Sequence, residues 1–112
     1  MTTDCIFCRI IAGEIPTEFL YQDKDVVVFP DIHQQTPVHI LIVTRKHIPS
    51  LDGLADAGIV ARMVEAAGKV AKDKGCSNGY RLVINNGPDG GQVVPHLHLH
   101  LLGGSKMPDR MR

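Results

Sequence analysis

The chain has 112 residues, 44% of them apolar but only 4% aromatic, with no Trp. That length suits one domain rather than two, with a core drawn mostly from Val, Ile and Leu. Twelve Lys and Arg balance twelve Asp and Glu, and no basic block stands out, which argues against nucleic-acid binding driven by charge but leaves room for a single nucleotide in a local pocket. No apolar run approaches the roughly 20 residues of a membrane span. The start at Thr2-Thr3-Asp4 has neither the basic opening nor the apolar stretch of a secretory signal. Three cysteines, two of them too close in sequence for a fold-stapling disulfide, fit a reduced, cytoplasmic setting.

In chain order, residues 5–12 place Ile6/Ile10 and Phe7/Ile11 at helical spacing, with Gly13 as the stop. Phe19 to Gln22 reads as a short strand. Asp25 to Pro30 contains V-V-V-F, a buried strand, and Gln34 to Pro37 is a turn. Val38 to Thr44 (V-H-I-L-I-V-T) is a β-branched run between Pro37 and Arg45-Lys46, which predicts a central strand. Pro49 to Gly58 is a connection. From Ile59 to Lys74, Val60, Met63, Val64, Ala67, Val70 and Ala71 form one helical stripe, closed by Gly75. Tyr80 to Ile84 is another strand, Asn85 to Gln92 a turn-forming loop, and Leu97 to Leu102 the final strand. The tail 105–112 is polar and loosely held. Adjacent strands with helices between the groups favour a single α+β domain with an antiparallel sheet.

Pro95 is followed by H-L-H-L-H-L-L. Successive strand side chains face opposite ways, so His96, His98 and His100 share one face, while Leu97, Leu99 and Leu101 share the other and join the core. Three imidazoles on one face are costly to bury without partners. They could ligate a metal together, or be an accidental polar face, but the G-P-D-G-G-Q that precedes them favours nucleophilic catalysis. Its glycines let backbone N–H groups approach an anion, which seats a phosphate beside the histidines. A neutral imidazole attacks phosphorus, a neighbouring imidazole protonates the leaving group, and backbone donors hold the developing charge.

The full pattern N-x-G-x-x-G-G-Q-x-V-x-H-φ-H-φ-H-φ-φ-G-G resembles the histidine-triad (HIT) superfamily, and within it the Hint branch of nucleotide-binding proteins. Upstream, C-I-F-C-R-I-I-A-G-E-I-P-T resembles that branch's opening helix, and F-P-D-I-H-Q-Q-T-P-V-H-I-L-I-V-T-R-K-H-I-P its nucleotide-binding strand pair; the likeness spans about residues 4–104. The resemblance implies a HIT-like α+β fold, a short N-terminal helix and one long helix on a sheet extended across a homodimer. It implies hydrolysis of purine nucleoside phosphoramidates, AMP-amine compounds, through a nucleotidyl-histidine. It assigns His98 as nucleophile, His96 and His100 as its partners, and His39 as an orienting, proton-relaying histidine behind them. Asp31 would bind the ribose hydroxyls and Ile32 line the base. Asn85, Gly91, Gln92 and Val93 fall around the phosphate and leaving group. Two departures stand out: Val93 replaces a frequent Ser, and the tail S-K-M-P-D-R-M-R lacks the Trp that many Hint proteins carry.

Cys5 and Cys8 sit one helical turn apart. C-x-x-C suggests zinc, which in structural sites takes four ligands. Similarity to some HIT relatives and to the related uridylyltransferases completes the set as Cys5, Cys8, His47 and His96. Two buried cysteines in a small helix is the plainer alternative. A thioredoxin-like redox motif fits less well, since no strand precedes it. Two other functions stay open: hydrolysis of dinucleoside polyphosphates, which Asn85 and Gly103-Gly104 disfavour, and regulatory nucleotide binding with little turnover, which would not need His98.

Overall fold

The β-branched runs form the middle of a single sheet. The computed structural model describes residues 4–109. Its strands are β1 (Tyr21–Gln22), β2 (Val26–Pro30), β3 (Val38–Thr44), β4 (Arg81–Val83) and β5 (His98–Gly103), in the order β1-β2-β3-β5-β4. Every pairing is antiparallel. Helix α1 (Ile6–Ile11) precedes the sheet, and α2 (Gly58–Asp73) connects β3 to β4. This is the α+β architecture expected from the sequence. Among the described residues no helix is long and apolar enough to cross a membrane.

Strand alternation sorts the side chains into two layers. Val26 and Val28, Ile40 and Ile42, and Leu97, Leu99 and Leu101 pack with Met63, Ala66, Ala67, Val70 and Ala71 of α2. Val27 and Phe29, Leu41 and Val43 point the other way and pack with Cys5, Phe7 and Ile10 of the α1 region. His39, His98 and His100 belong by parity to this second layer. The sheet therefore separates a fully apolar core from the face that carries the chemistry. Burying a side chain such as Leu101 or Ile42, both fully inaccessible, stabilises the fold by about 1.5–3 kcal/mol.

Several boundaries differ from expectation for local reasons. β1 is only two residues long, because the Asp23 carboxylate accepts from the backbone N–H groups of Asp25 and Val26 and turns the chain at once. On α2 the buried stripe runs through Ala66, and Val64 is 45% exposed. β5 begins at His98, so His96 is not a strand residue: its N–H bonds to the Val94 carbonyl two residues back, while the Leu97 N–H bonds to Ile48. At the other end of β5, a Cβ on Gly103 would lie 2.7 Å from Cys76 Sγ, so only glycine leaves room for that buried thiol.

Candidate active site

Cross-strand register brings the histidines together. In the β3·β5 ladder Val43 opposes His98, Leu41 opposes His100, and His39 opposes Leu102. His39 and His100 are thus diagonal neighbours on one face, within reach of long side chains. Their Nε2 and Nδ1 atoms lie 3.0 Å apart. The Gln35 backbone N–H donates to His39 Nδ1 at 3.0 Å. A backbone amide is an obligatory donor, so neutral His39 carries its proton on Nε2. That proton is shared between His100 Nδ1 and the Asp31 carboxylate, 3.3 Å away. His100 then carries its own proton on Nε2, and Asp31–His39–His100 forms an ordered proton chain.

His98 is fixed differently. Its Nδ1 lies 2.7 Å from the backbone carbonyl oxygen of His96. A carbonyl only accepts, so Nδ1 bears the proton and Nε2 keeps its lone pair. The ring sits against Phe7 and His100, each with its centroid 5.1 Å away. Burial lowers the His98 pKa below its ordinary value, opposed by the bond to His96 and by the Asp31 charge. Burial, followed by His98 and His39, pushes His100 down to about 4, with Asp31 opposing. The free site is therefore neutral at pH 7, and a neutral imidazole is the nucleophilic form.

His96 faces a second cluster. Its Nδ1 is 3.1 Å from Cys5 Sγ and 3.5 Å from Cys8 Sγ, and Cys8 Sγ is 3.2 Å from His47 Nδ1. The four donor atoms lie within 4.8 Å of one another. Tetrahedral zinc, with Zn–S near 2.3 Å and Zn–N near 2.0 Å, sets sulfur and nitrogen about 3.5 Å apart, so the donor set fits that ion. The orientation fits as well. His96 Nε2–H donates to the Thr44 carbonyl at 2.6 Å, which turns the Nδ1 lone pair towards the thiols, as partners behind a metal ligand do. Burial, then hydrogen bonding and charge from Cys5, push the Cys8 thiol up to about 11, so both sulfurs ionise together only beside a cation.

Asp31, His39 and His100 also converge closely enough to be considered as ligands. Here the tautomer argues against a metal. The far nitrogen of His39 meets a backbone donor, whereas a ligating histidine needs an acceptor there. The two clusters are chemically distinct despite sharing one strand, and the sequence separated them only through the C-x-x-C motif.

The residues expected around a phosphate form the loop before β5. Gln92 braces it: Oε1 accepts from the Gly87 N–H, and Nε2 donates to the Pro49 and Val94 carbonyls. Asn85 donates to the Gly90 carbonyl. Gly91 takes a left-handed conformation (φ 83°) and donates to Pro88, while Gly90 and Gln92 both donate to Gly87. The run of glycine amides is thus engaged within the loop, which corrects the expectation of an open anion nest: the loop is shaped internally and presents its end, Val93, outward. Val93 and Ile32 are each 88% exposed. Asn86, which sequence reasoning did not single out, ties this loop to the Leu51–Gly53 turn by accepting from the Leu51 N–H. A separate cavity of about 560 Å³, beside Cys76, Tyr80, Arg81 and Lys106, has none of the histidines in its lining.

An antiparallel α+β sheet that displays alternating histidines from its β5 strand, behind a braced glycine loop, defines a histidine-triad fold. The chain belongs to the HIT family, whose domain matches residues 12–107. It is 46% identical over 107 residues to the 14 kDa zinc-binding protein of Zea mays, covering 91% of this chain and 83% of that one. A HIT family hydrolase from Clostridium thermocellum superimposes with a TM-score of 0.95 at 40% identity, with full coverage of both chains. A histidine triad nucleotide-binding protein from Candida albicans gives a TM-score of 0.81 at 29% identity, covering 97% of this chain and 86% of that one.

Proposed function

We propose that the protein is a hydrolase of the Hint type, cleaving purine nucleoside phosphoramidates through a nucleotide covalently attached to His98 Nε2. The observation that carries this reading is the His98 tautomer: Nδ1–H is committed to the His96 carbonyl at 2.7 Å, which leaves Nε2 as a neutral nucleophile. In the first step Nε2 attacks the α-phosphorus, a P–Nε2 bond forms, and the P–N bond to the amine breaks. The amine leaves with a proton from His100. His100 is neutral in the free protein, so its acid form develops when the anionic phosphate arrives beside it, a charge that offsets the burial cost. In the second step water attacks phosphorus, the P–Nε2 bond breaks, the nucleotide departs, and the water's proton returns to His100. His39 and Asp31 hold the His100 ring and stabilise its charged form.

Asp31 lies at the β2–β3 turn beside Ile32 and can accept from ribose hydroxyls once it turns from His39. Exposed Ile32 offers an apolar surface to a base, and Val93 borders the leaving group. The relative named a nucleotide-binding protein and the one named a hydrolase support this reading. Cys5, Cys8, His47 and His96 are the residues that would hold zinc. Bound there with four protein ligands, zinc supplies a structural cross-link between the N-terminal helix and the histidine segment. His96 is thereby a framework residue, and its backbone carbonyl, rather than its ring, serves the nucleophile. The unpartnered edge of β4, with exposed Tyr80 and Val64 nearby, would join two copies into a cytoplasmic homodimer.

The test is intact-protein mass spectrometry after a short, quenched incubation with an adenosine phosphoramidate. An AMP-sized adduct is expected on wild type and none on His98→Ala. Absence of both adduct and steady-state turnover in the wild type would overturn the enzymatic reading and leave a nucleotide-binding module.

A further inference from the structure

We propose that Phe7 is a positioning residue for the nucleophile, and that the thiol–imidazole clasp on either side of it acts on the chemistry by holding that ring against His98. This rests on the reading of His98 as nucleophile. Three contacts restrain the His98 ring: the hydrogen bond to the His96 carbonyl, and the rings of Phe7 and His100. Two of these three trace back to the clasp. The His96 carbonyl belongs to a clasp residue. Phe7 lies between Cys5 and Cys8, and its ring meets His98 edge-to-face at 5.1 Å and 79°, and His96 at 5.8 Å and 74°. Phe7 also packs on Phe29 of β2 at 5.8 Å, so one buried ring spans the sheet, the clasp and the nucleophile.

The helix that carries Phe7 cannot hold this position alone. α1 has six residues, well below the length at which an isolated helix persists in water, and Ile6 on its outer side is 46% exposed. Its fixed points are the buried side chains Phe7 and Ile10, and the sulfurs of Cys5 and Cys8. Releasing the sulfurs frees the segment to shift, which removes the Phe7 wall and slackens the turn that presents the His96 carbonyl. The His98 ring then gains freedom to rotate and to exchange its proton between the two nitrogens. A misplacement on the scale of 1 Å costs on the order of 100-fold in rate, while the nucleotide contacts away from α1 are untouched.

The test compares wild type, Phe7→Leu and Cys8→Ser, each expressed with zinc. Phe7→Leu keeps an apolar side chain in the cluster and leaves all four clasp residues in place. Bound zinc is counted, the His98 tautomer is read at one pH from long-range ¹H–¹⁵N imidazole spectra, and AMP affinity and the single-turnover rate of adduct formation are measured. Phe7→Leu is expected to retain zinc, keep AMP affinity within about 3-fold, and lose roughly 10- to 100-fold in adduct formation, with His98 signals averaged between tautomers. Cys8→Ser is expected to show the same His98 signature together with lost zinc. A single Nδ1–H tautomer and a wild-type rate in Phe7→Leu would overturn the proposal, as would equal losses in affinity and rate. If Cys8→Ser fails to fold, Phe7→Leu alone decides. If the wild type forms no adduct, the phosphoramidase reading fails, and the tautomer comparison still decides whether Phe7 orders His98.

Discussion

Gly103→Ala is a sharp probe of how β5 is seated. The new Cβ would lie 2.7 Å from the buried sulfur of Cys76, and 3.6 Å from both Cys76 Cβ and Tyr80 Cβ. Non-bonded carbon contacts settle near 3.5–4.0 Å, so the sulfur approach is too short by about 1 Å. Neither partner moves easily, because Gly103 is paired to Val38 in the sheet and Cys76 is 5% exposed. Overpacking of this kind costs about 1–3 kcal/mol. At roughly 4–8 °C per kcal/mol for a domain near this size, Tm falls by on the order of 5–20 °C. Cys76→Ala removes the obstructing sulfur and by itself costs about 1 kcal/mol. In the double variant the alanine methyl occupies the vacated space, so that protein should be more stable than the sum of the single losses by about 1–2 kcal/mol. Urea unfolding followed by circular dichroism, at fixed protein and zinc concentrations, measures the cycle. Additive losses, or a Gly103→Ala protein as stable as wild type, would refute the reasoning that this glycine is demanded by the thiol.

Other expectations follow from the site. Burial lowers the pKa values of His96, His98 and His100, the last to about 4 from 6.5, so the unfolded chain binds more protons between about pH 4 and 6.5. Stability therefore rises with pH through that window. Melting should shift downward from pH 7 to pH 5, and His100→Gln should flatten the slope; an unchanged Tm across that range in the wild type would contradict it. Gln92→Ala strips the loop of three hydrogen bonds and is expected to destabilise by about 1–3 kcal/mol. Gln92→Glu should be worse, since it sets a carboxylate against two carbonyls, and equal melting of the two variants would argue against the bracing role. Val93 is 88% exposed, so Val93→Ser should leave stability within about 0.5 kcal/mol while changing the relative rates for amine leaving groups; identical rate ratios would remove Val93 from the leaving-group site.

Much of this was legible in the sequence because it depends on parity and local pattern. Val38–Thr44 was bounded to the residue, since Pro37 and the Arg45-Lys46 pair mark both ends of an uninterrupted β-branched run. The division of Leu97, Leu99 and Leu101 from the histidines followed from the two-residue period of a strand. What depended on distant partners was not legible. The departure of His96 from the strand is set by a tight turn and by its bonds to Cys5 and Thr44, residues 91 and 52 positions away. The bracing by Gln92 depends on Pro49, and the link from Asp31 to His39 on the β2–β3 pairing. A glycine-rich loop signals a turn, but not which of its amides remain free. Phe7 carried no local mark beyond its apolar character, and only the folded chain brings it onto His98.

The alternation of leucine and histidine along β5 also guards the register of the fold. Slipping β5 by one residue against β3 would turn every side chain over. Leucines would then meet solvent and Phe7, while imidazoles would enter a layer of Val, Ile and Met that offers them no acceptor or donor. Each such ring would be stranded at a cost of about 1–3 kcal/mol, and several at once rival the whole stability of a small domain. The residues that make the strand reactive thus also make its misaligned forms unaffordable, so selection for the chemistry and selection for correct folding act on the same positions.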